Sequence, residues 1–480
     1  MQRGLALVYL IAFLIAANQF IPLLGERGLE PVPFFIHSAP FAEAPSLFFL
    51  FPKDAAFRVA AWLGVLLSCA ALAGLSERCG TWLSALVWGA LWALYLSFVN
   101  VGQIFYAFGW ESILLEAGFL AIFAGSRRAP PQRMWIWLNR WVLFRVMFGA
   151  GLIKLRGDPC WRNLTCLQYH YETQPMPNPL SWYFHWAPAW THTGGVLFNH
   201  FVEVVVPFGY FLPQPVSTAA GLLTIVFQIL LMLSGNLSFL NLLTLVLALS
   251  MLDGRLLAKA MRISRPPMRP EGRAHRIVTV GLAMVVGILS IEPVLNLISP
   301  RQLMNYNYNP LHLVNTYGAF GGVTRTRYEV VVEGTADAAP GPGSEWRAYE
   351  FKGKPGDLAR RPPQIAPYHL RLDWLMWFAA MGPYSEQPWF ACLVGKLLAG
   401  DAETLGLLGS NPFSATPPRF VRALLYEYHF TAPAERQATG RWWKRTPAGP
   451  YFPPVSLGNP AFRELLEQQG CPAGNLNTAP

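Results

Sequence analysis

Six ionisable side chains stand inside apolar runs: Glu111 and Glu116 in GWESILLEAGFLAIF, Arg145 and Lys154 in FRVMFGAGLIKL, His200 and Glu203 in NHFVEVVVP. On helices rising about 1.5 Å per residue, Glu111, Glu116, Arg145 and Glu203 fall roughly 10–18 Å from the outer ends of their segments, so they are expected to meet near mid-membrane. A charge at that depth is costly unless paired, and an intramembrane polar cluster is by default a candidate site. The plainer expectation is structural: Arg145 neutralises one glutamate and pins helices together. His200 and Glu203, three apart, share a helix face and resemble half of a metal site. Di-metal bundles need several such contributions and no second His-x-x-Glu is present, so no metal and no cofactor are expected. A Lys154 desolvated at the membrane boundary has the chemistry of a general base; the simpler expectation is that its ammonium snorkels to the headgroups.

A second group lies in CWRNLTCLQYHYETQPMPNPLSWYFHW, from Cys160 to Trp186. Tyr169, His170, Tyr171 and Glu172 are consecutive and so point in different directions in any regular structure. No Gly-rich phosphate cradle, GxSxG elbow or HExxH accompanies them, and no catalytic residue is assigned. Pro175, Pro177 and Pro179 alternate and favour extended backbone with little conformational entropy left to lose. The expectation is a braced, aromatic-rich rim that packs against another surface, with Tyr169, His170, Tyr171, Glu172, Gln174 and Trp182 as partner-contact candidates. Cys160 and Cys166 are disulfide candidates if their side of the membrane is oxidising; a bridge constrains the unfolded loop by about 2–3 kcal/mol, and two free thiols are the alternative. Cys69 in a span and Cys79 near a cytoplasmic turn are expected to stay reduced.

The elements that hold these residues follow from composition. Of 480 residues, 53% are hydrophobic and 13% charged, against about a quarter charged in soluble proteins. A span needs roughly 20 apolar residues, and candidate spans begin near Leu5, Phe57, Trp82, Ile104, Met134, Gly194, Val216, Leu237 and Ile277. The first reads as a retained span, since no small-residue cleavage site follows Asn18, Gln19 and Pro22. The Val216 and Leu237 pair has a re-entrant hairpin as its alternative. The net charge of +10 concentrates in two places, Arg127, Arg128, Arg133 and Arg140, and then Arg255, Lys259, Arg262, Arg265, Arg269, Arg273 and Arg276. Both read as cytoplasmic loops under the positive-inside rule rather than as a nucleic-acid face. With the amino terminus inside, nine spans put both loops in the cytoplasm, and the Cys160–Trp186 loop and everything after Ile298 on the exported side. FFIHSAPFAEAPSLFFLF is expected at the outer interface, where amphipathic rings are favoured.

Past Pro300, TRYEVVVEGT, EWRAYEFKG and PYHLRLDW read as strands, ADAAPGPGS as a turn, and RLDWLMWFAAM and PWFACLVGKLL as helices. The expected fold class is thus a mainly α polytopic membrane protein of about nine spans (1–299, with outer loop 156–193) followed by an extracytoplasmic α+β domain (300–480). The end, CPAGNLNTAP, is expected to be loose. Trp374, Trp377, Trp389, Trp442 and Trp443 suit an interface, though each fits the domain's own core better.

CLQYHYETQPMPNPLSWYFH closely resembles the hallmark loop of the lipase maturation factor family. WESILLEAGFLAIF and FRVMFGAGLIKL with the following DPCW look like its membrane segments. YEVVVEGT, WRAYEFKGKPGD, APYHLRLDWLMWFAA and CLVGKLLAG resemble its soluble domain, in the family's order from about Trp110 to Trp443. The resemblance implies a multi-pass protein, in the endoplasmic reticulum membrane in eukaryotes, that helps secreted lipases reach an active state and carries a luminal carboxy-terminal domain. The Ala/Arg/Pro-heavy composition reads as bacterial, where the inner membrane and periplasm are the equivalent places. The implied partners are exported client proteins and the lipid bilayer. The family also looks distantly like the multi-span domain of vitamin K-dependent carboxylases, which makes a membrane-embedded enzyme using Lys154, His170 and Glu203 the alternative. Transport is a third reading, without the inverted repeat or paired broken helices it calls for.

Overall fold

The computed structural model describes residues 1–78, 80–126, 132–252, 254 and 273–471. Cys79, Arg127, Arg128, Arg255, Lys259, Arg262, Arg265, Arg269 and the chain end after Cys471 lie outside the described residues. The amino-terminal part is helical. Helices α1 (Gln2–Leu24), α2 (Asp54–Leu72) and α3 (Thr81–Asn100) are each long and apolar enough to cross a bilayer. Helix α4 (Gly109–Ile122) is not: its 14 residues reach about 21 Å of a hydrocarbon core roughly 30 Å thick. Helix α5 (Arg133–Arg156) is a full span.

Three short elements form the loop: α6 (Leu167–Thr173), α7 (Ser181–His185) and the proline-rich link between them. Helix α8 (Ala189–His200) continues as a π turn over Phe201–Val205 and a 3-10 stretch to Phe211, and together they make the next span. Pro207 has no N–H to donate to the Glu203 carbonyl, and the helix widens where that bond is missing. Helix α9 (Val216–Ser234) is the sixth span, whereas α10 (Leu240–Ala248), extended by a 3-10 turn to Met251, is again short. Helices α11 (Arg273–Leu289) and α12 (Ile291–Ile298) form a pair bent by 40° that counts as a seventh. Among the described residues there are therefore six helices of spanning length, or seven with the bent pair, and the expected nine is not confirmed. The segments near Ile104 and Leu237 are the ones that fall short.

Strands β1 (Arg327–Thr335), β2 (Arg347–Ala348), β5 (Phe420–Phe430) and β6 (Trp443–Val455) form an antiparallel sheet in the order β2-β1-β5-β6; β3 (Glu350–Phe351) and β4 (Leu408–Ser410) pair separately. Helices α13 (Arg371–Ala379) and α14 (Pro388–Ala399) accompany them. All but one residue of β1 is buried, as a strand covered on both faces must be. Trp374, Trp389, Trp442 and Trp443 are core residues. The expected strand in PYHLRLDW is absent. There the Gln19 side chain donates to the His369 carbonyl at 2.6 Å and accepts from the Arg371 N–H at 3.0 Å, so a side chain replaces the ladder and the chain turns directly into α13. Strands β5 and β6 were not expected: the prolines of β6 disguise it, and they are tolerated because it lies on the sheet edge. A disulfide joins Cys392 to Cys471 and another joins Cys160 to Cys166; Cys69 is free.

Candidate functional site

The intramembrane charges form separate ion pairs instead of one cluster. Arg145 of α5 chelates Glu116 of α4, and Nη1 also donates to the Asn315 carbonyl at 2.6 Å. The Tyr317 hydroxyl donates to the same carboxylate at 2.6 Å. Lys154 lies 2.7 Å from both oxygens of Glu203 and 2.9 Å from the Asn199 amide oxygen, with its ammonium 5.0 Å from the Trp161 ring centre. Gly151 allows this contact, because a Cβ there would come within 3.0 Å of the Glu203 Cβ. His200 is not part of it: its Nε2 donates to the Trp161 carbonyl at 3.0 Å. Glu111 goes to a partner that a survey of the spans does not offer, Arg371 of α13, at 2.8 Å with both side chains fully buried. Tyr95 donates to Glu111, and Arg371 also reaches the Phe105 carbonyl at 2.6 Å and lies over the Tyr106 ring. The expectation of one meeting point fails because each carboxylate has a cation on a neighbouring element, and burial leaves none unpaired.

The loop is placed differently from the expected exposed rim. His170, Tyr171, Glu172, Gln174 and Trp182 are buried, and Tyr169 is half-buried under the Arg325 guanidinium, 4.8 Å from its ring centre. The polar groups of Glu172, Gln174 and Trp182 are used internally. Arg327 of β1 donates to the backbone carbonyls of Glu172, Gln174 and Pro175, and its own charge is met by Glu329, which also takes Lys354 at 2.8 Å. The Glu172 carboxylate accepts the Phe430 N–H and lies 3.2 Å from His429 Nδ1, while His429 Nε2 is 2.7 Å from Glu427. Both ring nitrogens donate, which the doubly protonated imidazole alone can do; the hydrogen bond to Glu172 is the main cause that raises the His429 pKa to about 9.

Trp182 donates to the Thr431 carbonyl and Trp377 to that of Thr173, each at 2.9 Å. On the other flank, Gln174 donates to the Ser234 carbonyl at 2.8 Å, and Gly235 beside it leaves room that any Cβ would fill. The loop is therefore a joint: one side grips the sheet, the other the end of α9. Arg325 pairs with Asp158 at 2.7 Å, and its hydrogen bonds hold that carboxyl near pKa 2.

Sequence reading missed Arg327, Glu329, Lys354, Arg371 and His429. Arg327 and Glu329 carried a signal, since residues two apart on a strand share a face and both sit beside the apolar run VVV. Arg371 carried none, because its partner is 260 positions away.

The chain matches the lipase maturation factor transmembrane domain over residues 1–259 and the lipase maturation factor C-terminal domain over residues 313–453. Lipase maturation factor 1 of Bos taurus is 46% identical over 498 residues, covering 95% of this chain and 88% of its own length. The Homo sapiens protein of that name is 45% identical, covering 96% and 88%. Lipase maturation factor 2 of Homo sapiens is 31% identical, covering 98% and 84%. No solved structure matches.

Proposed function

This chain belongs to the lipase maturation factor family, and we propose that it is a multi-pass membrane maturation factor that helps exported lipases reach their assembled, active state. The observation that carries the reading is the likeness to maturation factors along 95% or more of the chain. The membrane-embedded enzyme is not supported. The relatives are maturation factors, and the Lys154 nitrogen is already engaged by Glu203 and Asn199.

In this reading residues 1–299 form the membrane domain, and residues 300–480 stand on the exported side together with loop 156–193. That side is the endoplasmic reticulum lumen, or the periplasm in a bacterium. Two disulfides, one in each of these regions, support an oxidising compartment. Contacts support the side assignment and the number of crossings. Groups in hydrogen-bond contact cannot lie on opposite faces of a layer about 30 Å thick. Gln2 donates to the Gly125 carbonyl at 3.1 Å, yet three long spans separate them, an odd number; a fourth crossing by α4 resolves the parity. Glu172 meets Phe430 across three further spans, so α10 with its 3-10 turn would cross as well. In this reading the chain makes nine crossings, and the positive-inside rule favours the amino terminus inside.

Tyr169, His170, Tyr171, Glu172, Gln174 and Trp182 would then serve client engagement as a brace. They fix the orientation of the exposed aromatics Tyr183, Trp186 and Trp190, which are the better candidates for touching the client. The test is complementation in cells stripped of their own family member. Expression of this chain together with a secreted lipase is expected to restore active enzyme in the medium, and a photocrosslinker at Tyr183 or Trp190 to capture that lipase. Abundant membrane-inserted chain that restores no lipase activity would overturn the reading.

A further inference from the structure

The Lys154–Glu203 pair forms part of the wall of a cavity of about 630 Å³, inside the roughly 300–1,000 Å³ range of small-molecule sites. Its lining is mainly apolar: Ala150 on α5, Phe198 on α8, Phe227 and Leu230 on α9, and Trp377 on α13 contribute. Leu230 lines the cavity and is also 41% exposed on a spanning helix, so one edge of the cavity opens at the surface that faces hydrocarbon.

Three polar features narrow what fits. Lys154 and Glu203 satisfy each other with Asn199, and the wall therefore offers no unpaired charge to a headgroup. The Asn241 amide oxygen is buried and has no hydrogen-bond partner among the described residues, although its nitrogen donates to Gln228. That oxygen calls for a hydrogen-bond donor, which a lipid hydroxyl supplies. The His170 imidazole also lines the cavity; burial lowers its pKa to about 4. A neutral imidazole presents one N–H, which suits a carbonyl.

We propose that this cavity is a binding site for an uncharged lipid that carries both a hydroxyl and a carbonyl, of the acylglycerol kind, entering from the bilayer past α9. The inference stands whether or not a lipase is the client. The hydrocarbon chain lies among the aromatic and aliphatic walls, and the polar end is met by His170 and Asn241. A phospholipid or an ionised fatty acid would bring in a charge that nothing in the wall neutralises, at a cost no hydrogen bond recovers.

The experiment uses the full chain in phosphatidylcholine nanodiscs and a diazirine-tagged monoacylglycerol, with a diazirine-tagged fatty acid as its charged counterpart. Irradiation and peptide mapping should place the monoacylglycerol label saturably on segments containing Phe198 and Phe227. Leu230→Trp at the mouth and Ala150→Phe inside are each expected to reduce it roughly ten-fold, the effect of about 1.4 kcal/mol of lost binding. Leu230 is surface-facing, so this variant keeps the test valid if Ala150→Phe fails to fold. Labelling unchanged in Leu230→Trp, equal labelling by the fatty acid, or label confined to the outward-facing Val226 and Ile229 would overturn the proposal.

Discussion

Arg371→Met is the sharpest perturbation of the way the carboxy-terminal region is held to the membrane helices. Arg371 and Glu111 are both fully buried, so removing the guanidinium leaves a carboxylate without its countercharge. Breaking such a pair costs about 3–5 kcal/mol, which is roughly two to three and a half powers of ten in the equilibrium between docked and open α13. Hydrogen exchange over residues 371–379 in the membrane-embedded protein reads that ratio directly, because amides of a docked helix exchange through the open state. The partner variant separates lost attraction from a stranded charge. In Arg371→Met/Glu111→Gln the amide still accepts the Tyr95 hydroxyl that Glu111 holds, and no buried charge remains. Most of the protection should return. If Arg371→Met exchanges like the parent, or if the double variant is as exposed as the single one, the ion pair does not dock the region and the reasoning fails.

Three further outcomes are expected. His429 has its pKa raised to about 9 against an ordinary 6.5; its contribution is complete below about pH 6.5 and disappears as the pH rises through about 9. Exchange over α6 should therefore accelerate between roughly pH 8 and 10 and lose that pH step in His429→Gln. Cys471→Ser opens a bridge spanning 79 positions, worth about 4–5 kcal/mol by chain entropy, against about 2–3 kcal/mol for Cys166→Ser and its six-residue separation; thermal unfolding of the carboxy-terminal region should rank them in that order. Arg145→Met strands Glu116 and is expected to lower membrane abundance, with Arg145→Met/Glu116→Gln recovering much of it by immunoblot. Full abundance of the single variant together with lost lipase maturation would assign the pair a functional role instead.

Apolar length and charge placement were readable along the chain because membrane insertion acts on each segment nearly by itself: a run of hydrophobic residues such as α1 or α9 is costly anywhere but in a bilayer. The same local logic identified β1 from its β-branched run and placed α13 and α14. It also singled out Glu111, Glu116, Arg145, Lys154 and Glu203, since a charge in hydrocarbon is conspicuous whatever surrounds it. Which cation each acid takes was not local. Arg145 and Glu116 sit on neighbouring helices, but Glu111 waits for Arg371 from the far end of the chain, and Gln19 displaces a strand that propensity favoured. The loop shows the limit most clearly. Its prolines announced rigidity, yet a Tyr-His-Tyr-Glu run looks the same whether it faces a client or Arg327 and His429. Only packing determines which carbonyls meet a guanidinium and which rings lose their water, because burial belongs to the assembled neighbours and not to the segment.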